Sequence, residues 1–266
     1  MENNIDFSKS ELTKNIINYR KELYTSFIAP LDGMWEALYI ANATSYLIKS
    51  KGDEIGYCCI DKDKSLNQIY IKATHCYLMN MIISELINNN MIVSAHLSSI
   101  EPISFNISLI LAKSTQVNTI NYTFSSEQEK VVSIAMLDLN KASQQDTDRI
   151  KVFFKNEIGF DDSFGYTQNL IQRGEIYIVE EDNVIIATGE CRLSESQLNY
   201  ADVGMVVKNT DRKKGLGTKV LSELVKIALE KKRKPICSTT VDNIASQIAI
   251  ERAGFYNSHT IFKMDF

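Results

Sequence analysis

The feature that most restricts the fold is a regular succession of strand and helix patterns in the C-terminal half of the chain. Residues 175–191 alternate in hydrophobicity around the turn residues Asp182 and Asn183, which predicts a β-hairpin. The later patterns predict, in order, a strand, a glycine turn, a helix, a strand, a helix and a strand, over residues 200–207, 208–217, 220–228, 236–241, 244–254 and 258–266. Pro235 and Gly254 mark the two helix ends. This order predicts an α/β fold with a central mixed β-sheet flanked by helices.

The N-terminal half follows the same order more loosely. Its patterns predict a hairpin, a strand, a helix, a strand, a helix and a strand, over residues 45–60, 66–72, 77–87, 92–97, 105–111 and 117–124. A shift of roughly 130 to 145 residues places these elements over those of the second half, which indicates a duplicated unit. We therefore predict two domains, at residues 1–135 and 136–266. The polar stretch 127–149 connects them, and its residues 142–148 open the first helix of the second domain.

Composition narrows the functional classes. The net charge is −4, which argues against a nucleic-acid partner. The five cysteines and three histidines show no metal-binding or disulfide spacing, so we expect no metal site. The apolar runs are too short to cross a bilayer, and the first ten residues lack the apolar core of a signal peptide. We expect a cytoplasmic protein without a membrane partner.

The turn before the first C-terminal helix has the chemistry of an anion site. Its residues are Arg212, Lys213, Lys214, Gly215, Leu216, Gly217 and Thr218. Backbone N–H groups at a helix N-terminus favour phosphate or pyrophosphate, and the two glycines allow close approach of the backbone. From residue 208 to 234 there are ten basic and three acidic residues, a local charge of +7. A dinucleotide fingerprint fits less well because Val220 stands at the third glycine position, and no Walker loop is present.

Two segments together resemble the GNAT superfamily of N-acetyltransferases. The R-x-x-G-x-G pattern of residues 212–217 looks like the acetyl-CoA motif of that family. The segment Asn243-Ile244-Ala245-Ser246, followed by Glu251 to Phe255, is similar to the N-x-x-[AS]…(E/K)-x-x-G-F helix of the family. Both occur in the expected element order, so the resemblance covers residues 142–266. Together with the duplicated element order, this resemblance predicts that the chain consists of tandem GNAT-like units.

The resemblance implies a cofactor, acetyl-CoA (coenzyme A), and a direct transfer of its acetyl group to an amine. The pantetheine arm would pair with the strand residues Met205, Val206 and Val207. The pyrophosphate would lie on the N–H groups of residues 213–218. Asn243 and Ser246 would lie near the cofactor arm.

The resemblance also implies a general base, which accepts the proton of the amine. Two strand carboxylates, Asp202 and Glu190, are the candidates. One departure concerns the general acid: many members carry a tyrosine where this chain has Ile250. Ser246 and Tyr256 are the alternative hydroxyl groups.

The N-terminal half resembles a degenerate GNAT copy. It has Lys72-Ala73-Thr74-His75 where the glycine turn should lie, so we expect a single coenzyme site, in the second half. The first half would then help to wall the acceptor cleft. We expect His75, His96 and Trp35 to be structural.

Two functions remain open at this point. One is an acetyl-CoA-dependent N-acetyltransferase acting on a small-molecule or peptide amine. The alternative is a non-catalytic module that binds or senses acyl-CoA, which Ile250 favours. The acyl group could also be longer, depending on the pocket width near Met205 and Cys191. The sequence is compatible with a homodimer and does not identify the amine.

Overall fold

The structure is a computed structural model that describes residues 5–125, 127 and 137–266. It divides into two compact units, one of residues 1–120 and 259–266 (unit 1) and one of residues 121–258 (unit 2). The domain boundary that we predicted between residues 135 and 136 lies outside the described residues, as does part of the connection 127–149.

The described strands are, in chain order, β1 (Ile5–Ser10), β2 (Thr44–Ser50), β3 (Asp53–Ile60), β4 (Ser65–Ile71), β5 (Ser94–Ser98), β6 (Ser114–Phe124), β7 (Asn140–Lys141), β8 (Ile176–Glu181), β9 (Val184–Leu193), β10 (Tyr200–Val207), β11 (Lys234–Thr240) and β12 (Phe255–Asp265). The helices are α1 (Lys14–Ser26), α2 (Gly33–Trp35), α3 (Met79–Asn88), α4 (Pro102–Leu111), α5 (Thr147–Ile158), α6 (Tyr166–Arg173), α7 (Leu216–Glu230) and α8 (Ile244–Arg252). A π-helix, Glu36–Ile40, continues α2.

The strand order of unit 1 is β1-β2-β3-β4-β5, followed by the part of β12 from residue 259 onward. Strand β4 is parallel to β5, whereas β1 to β4 pair antiparallel in sequence, and so do β5 and β12. Unit 2 has the order β11-β10-β9-β8-β7, with β10 parallel to β11 and the other pairs antiparallel. The predicted mixed sheet is confirmed in both units.

Helices pack against the sheet because their apolar residues recur at helical spacing. In α7 the five residues that carry the predicted stripe are all buried, and they are Val220, Leu221, Leu224, Val225 and Ala228. Unit 1 has separate cores around α3 and around α1, since Ile69 and Cys58 pack with α3 while Tyr57 and Cys59 pack with α1. Trp35 is buried in the second of these cores, as expected.

The duplication predicted from the sequence is visible in the element positions. Strand β3 begins at Asp53 and β9 begins at Val184, 131 residues later. Helix α4 begins at Pro102 and α8 begins at Ile244, 142 residues later. The predicted helix opening at 142–148 is also confirmed, because Ser143 and Asp146 form a capping box before α5.

A buried acid after β5 makes the stability of unit 1 depend on pH. Burial raises the pKa of Glu101 to about 8, well above its usual value of 4.5. Between pH 4.5 and 8 the folded state keeps this proton and the unfolded state does not, so rising pH weakens folding over that range. We expect Glu101→Gln to be more stable than the wild type by about 1 to 3 kcal/mol at pH 8, with little difference at pH 5.

Urea unfolding of both proteins at pH 5, 6, 7 and 8 measures this difference. The exposed Glu11 supplies the control, since Glu11→Gln should follow the wild type at every pH. A Glu101→Gln difference that stays constant with pH would show that this carboxyl does not titrate in the folded state near pH 8.

Candidate functional site

Strands β10 and β11 separate after three residue pairs. Tyr200, Ala201 and Asp202 pair with Lys234, Pro235 and Ile236, and the parallel ladder ends there. Beyond this point Gly204, Met205 and Val206 of β10 are only half-buried. The edge of β10 that faces β11 is therefore unpaired beyond Asp202, a stretch that includes the predicted pantetheine contacts Met205 and Val206, whereas the third predicted contact, Val207, is only 8% exposed.

The glycine turn leads from β10 into α7 through an irregular backbone. A 3-10 turn at residues 209–211 follows the strand, and Lys213 then adopts a positive φ of 64°. Gly215 is the N-cap of α7 with φ 80°, the left-handed region that glycine enters without steric cost. Among the described residues, no side chain accepts a hydrogen bond from the first amides of this helix, whereas many helices have such a cap.

The amides of the turn are unused. Within the described part of the chain, none of the N–H groups of residues 213–218 donates a hydrogen bond to protein, and the first bonded amide is that of Lys219, to the Gly215 carbonyl at 3.2 Å. Orphan N–H groups at a helix start bind anions well. The turn is thus open rather than occupied by protein.

The basic side chains of the turn do not all serve the same purpose. Arg212 donates from Nε to the Val207 carbonyl at 3.0 Å and from Nη2 to the Glu157 carbonyl at 3.1 Å, which fastens the turn to β10 and α5. Lys214 pairs with Asp211 at 2.7 Å. Lys213 is exposed and forms no ion pair with the described residues. Arg212 therefore shapes the loop, while the charge of Lys213 is not neutralised by a described acidic side chain.

Gly217 lies against two neighbouring elements. A Cβ built there would be 3.3 Å from the Met205 methyl and 3.7 Å from the Ala249 Cβ. The start of α7 thus approaches both β10 and α8. On α8, Asn243 accepts from the Ser246 N–H at 3.2 Å and caps the helix. The structure brings Met205, Gly217 and Ala249, in the C-terminal half of α8, close together, whereas Asn243 and Ser246 lie at the other end of that helix.

The two candidate bases share one arginine. Arg192 donates to Glu190 Oε2 at 2.7 Å and to Asp202 Oδ1 at 3.0 Å. Tyr166, the first residue of α6, donates its hydroxyl proton to Glu190 Oε2 at 2.6 Å and accepts from Arg192 at 2.8 Å. Burial raises the pKa of Tyr166, so the hydroxyl keeps this proton. Glu190 and Asp202 are only 8% and 3% exposed, and both are held in place by this network.

The register separates the two carboxylates by position. Asp202 lies in the last residue pair before β10 and β11 separate, opposite Arg192 on β9. Glu190 lies opposite Gly204, two residues further along, where the strands have parted. A Cβ on Gly204 would meet nothing closer than Arg192 Nη2 at 4.0 Å, so there is free space beside the Glu190 carboxylate. The geometry therefore favours Glu190 as the group that a bound amine can reach.

Sequence reasoning missed Tyr166 and Arg192. Arg192 could have been found, because residues two apart on one strand share a face with their cross-strand partners. Tyr166 could not, because α6 was not predicted: its start depends on Gly165 at φ 84° and on Asp162, which accepts from the amides of Tyr166 at 2.6 Å and Thr167 at 2.7 Å.

The three positions considered for a general acid differ in burial and chemistry. Ile250, at the position where many members carry tyrosine, is 2% exposed and apolar. Tyr256 is 53% exposed on β12, and Ser246 lies half-buried at the start of α8. Of the two hydroxyl groups we considered, Ser246 is on the element nearer to the turn, since Ala249 of the same helix contacts Thr218.

Unit 1 has the same strand separation but a filled site. Its β4–β5 ladder ends at Leu66 and Ala95. Three residues before the end of β4, Gln68 lies opposite Cys59, just as Gly204 lies opposite Glu190 three residues before the end of β10. Gln68 is 1% exposed, accepts from the Tyr57 hydroxyl and donates to Tyr24 at 3.4 Å. At the two positions that correspond to Glu190 and Gly204, unit 1 therefore has a thiol in place of the carboxylate and a buried side chain in place of the free space.

The turn after β4 also lacks the features of the glycine turn that follows β10. A 3-10 helix, Ala73–Leu78, runs directly into α3, without a glycine. A cleft of about 680 Å³ in unit 1 lies beside this turn, between α1 and the start of β3, and contains none of the predicted site residues. Its polar groups bond one another, since Lys72 donates to the Glu54 carbonyl at 2.7 Å and Asn15 donates to the Glu54 carboxylate at 2.8 Å.

No group of histidine, cysteine and acidic side chains in residues 5–125 and 137–266 is arranged to hold a metal ion. No helix in that part of the chain combines the length and the apolar character needed to cross a membrane.

Comparison with known families identifies both halves. The model of a family described as "Acetyltransferase (GNAT) domain" matches residues 12–127. The model of the "Acetyltransferase (GNAT) family" matches residues 136–255. No curated protein matches the chain.

Solved structures agree with these matches over the full length. An acetyltransferase of the GNAT family from Colwellia psychrerythraea is 28% identical with a TM-score of 0.91, covering 98% of this chain and 99% of its own. A GCN5-related N-acetyltransferase from Sphaerobacter thermophilus is 10% identical with a TM-score of 0.69, covering 98% and 95%. A tandem GNAT protein from the clavulanic acid biosynthesis pathway is 11% identical with a TM-score of 0.65, covering 98% of both chains. The last two show the fold alone.

Proposed function

Because the chain belongs to the GNAT superfamily and consists of two GNAT domains, we propose that unit 2 is an acetyl-CoA-dependent N-acetyltransferase. The acceptor would be the amine of a small molecule or a peptide. The observation that carries the proposal is the combination of a parted β10–β11 ladder with an open ring of amides at residues 213–218. The first suits an extended amide-containing arm, and the second suits a diphosphate.

The residues present fit this coenzyme. The unpartnered amides and Lys213 would hold the diphosphate, and Met205 to Val207 would pair with the arm. Gly215 and Gly217 keep the turn free of Cβ atoms. The bound coenzyme would supply an activated acetyl thioester, whose carbon–sulfur bond breaks as a carbon–nitrogen bond forms.

The protein's part in the reaction is to accept the amine proton. Glu190 would take it, because free space beside its carboxylate opens at Gly204. Arg192 and Tyr166 hold this carboxylate in one orientation, which a general base needs. Asp202 would act through Arg192, as a positioning residue, because Arg192 bonds both carboxylates.

Isothermal titration calorimetry with acetyl-CoA tests the proposal. We expect binding with a dissociation constant in the micromolar range, as for typical substrates. We also expect binding to weaken with added salt, because the turn holds phosphates with charge. No heat of binding at about 100 µM acetyl-CoA, with correctly folded protein, would reject the coenzyme site.

One observation favours a second function, a non-catalytic acyl-CoA sensor. The apolar Ile250 occupies the position at which many family members carry a tyrosine that acts as general acid, and its side chain cannot donate a proton to the leaving thiolate. An assay of free thiol across a panel of amines separates the two functions. Release of coenzyme A that depends on an amine supports the enzyme, whereas tight binding without release supports the sensor.

A further inference from the structure

Resting on the proposed function, we propose that the acceptor is a small primary amine on an aromatic or alkyl body, without a carboxylate next to the amine. The observations that lead to this class all lie in unit 2, around Glu190. They concern the aromatic side chains at the α5–α6 connection and the balance of charge at the strand surface.

Three aromatic rings line the connection between α5 and α6. The centroids of Phe160 and Phe164 are 5.9 Å apart, those of Phe160 and Tyr166 are 5.6 Å apart, and those of Phe164 and Tyr166 are 6.3 Å apart. We call these residues the aromatic cluster. Its inner member, Tyr166, bonds Glu190 directly. The cluster therefore begins at the candidate base and extends outward from it.

The outer member of the cluster is free to meet a ligand. Phe164 is 65% exposed, whereas Phe160 packs against the core of unit 2. Asp162 fixes this connection by accepting from two amides of α6, so Phe164 is held close to Tyr166. An aromatic or alkyl body placed on Phe164 and Tyr166 would bury apolar surface and leave its amine toward Glu190.

The charge near the base selects a cation. Glu190 and Asp202 carry two negative charges and Arg192 carries one positive charge, so this group is net negative. An ammonium group is attracted to such a site and also to the faces of aromatic rings. Near neutral pH an alkyl amine is mostly protonated in solution, so the site attracts the ammonium form, which is the most abundant one.

The same charge rejects a carboxylate next to the amine. Arg192 is the guanidinium that pairs with these carboxylates, and it already bonds Glu190, Asp202 and the Tyr166 hydroxyl. A substrate carboxylate within a few ångströms of the amine would therefore face a net negative group whose arginine is already engaged. Repulsion of this kind changes relative rates by about 10- to 100-fold.

A matched pair of amines tests the inference on the full chain. Phenethylamine and phenylalanine share the ring and the amine and differ by one carboxylate. With saturating acetyl-CoA, we expect kcat/KM for phenethylamine to exceed that for phenylalanine by about 10-fold or more. Spermidine, whose methylene chain is interrupted and ended by further ammonium groups, should fall below phenethylamine because it can bury little continuous apolar surface on Phe164.

A variant connects the preference to the cluster. Phe164→Ala should raise KM for phenethylamine by about 3- to 10-fold and leave the acetyl-CoA dissociation constant unchanged. Leu198→Ala is the matched control, because Leu198 is equally exposed at 65% but lies in the turn before β10. It should leave KM unchanged.

The outcomes separate the inference from the proposed function. Equal or better turnover of phenylalanine, or an unchanged KM in Phe164→Ala, overturns the inference while the coenzyme site stands. Binding of acetyl-CoA without turnover of phenethylamine also overturns it. Failure to bind acetyl-CoA in calorimetry is the result that removes the proposed function itself.

Discussion

Gly217→Trp is expected to reduce acetyl-CoA affinity by at least about 100-fold, to the point where calorimetry shows no binding. A Cβ at this position already lies 3.3 Å from Met205, so an indole would project into the space between α7 and β10. It would cover the amides of residues 213–218, which have no protein partner within the described chain. The diphosphate and the indole cannot occupy this space together.

The control for this variant lies on the same helix. Glu230→Trp adds the same side chain at the exposed far end of α7 and should bind acetyl-CoA like the wild type. Circular dichroism of both variants should show that they are folded. Wild-type affinity in a folded Gly217→Trp protein would mean that the coenzyme does not use this turn.

Glu190→Gln is expected to lower kcat/KM by about 100- to 1,000-fold while leaving acetyl-CoA affinity unchanged, as loss of a general base does. The amide keeps the shape of the side chain and can still accept from Arg192. Without a base, the reaction depends on amine that has lost its proton in solution. The residual kcat/KM should therefore keep rising with pH up to the pKa of the substrate amine.

Asp202→Asn supplies the comparison for that experiment. It also removes one carboxylate partner of Arg192, but at the position where β10 and β11 are still paired. We expect it to lower stability by about 1 to 3 kcal/mol, because the half-buried Arg192 guanidinium loses one of its two carboxylate partners, and to lower kcat/KM less than Glu190→Gln does. The reverse order of activity loss would transfer the role of base to Asp202.

The sequence predicted the fold well where periodicity and turn chemistry act locally. Strand β10 was predicted with its observed ends, and the start of α8 was predicted from Asn243, which does cap it. Helices α1 and α6 were not predicted. Helix α6 is short, and its start depends on the Asp162 carboxylate, which accepts from the amides four and five residues further along the chain. No periodic pattern reveals such an interaction.

The site was predictable only in its backbone part. The glycine turn can be recognised because glycine is needed at a positive φ, and Gly215 has one. The choice between Glu190 and Asp202 needed the register of β9, β10 and β11, since one residue pair decides whether a carboxylate lies before or after the strands part. Tyr166 reaches Glu190 across 24 positions of sequence, and such a contact depends on tertiary packing.

The pairing of Ser98 with Ile261 has a consequence for the order in which the protein is made. Strand β5 of unit 1 leaves the ribosome early, but its antiparallel neighbour β12 is translated only after all of unit 2. During synthesis, β5 therefore waits with one edge unprotected while the intervening residues emerge, and exposed edges invite pairing with other chains. Unit 1 therefore depends on a segment that is translated after unit 2. A truncation that removes unit 2 and everything after it would leave this edge of β5 permanently unpaired.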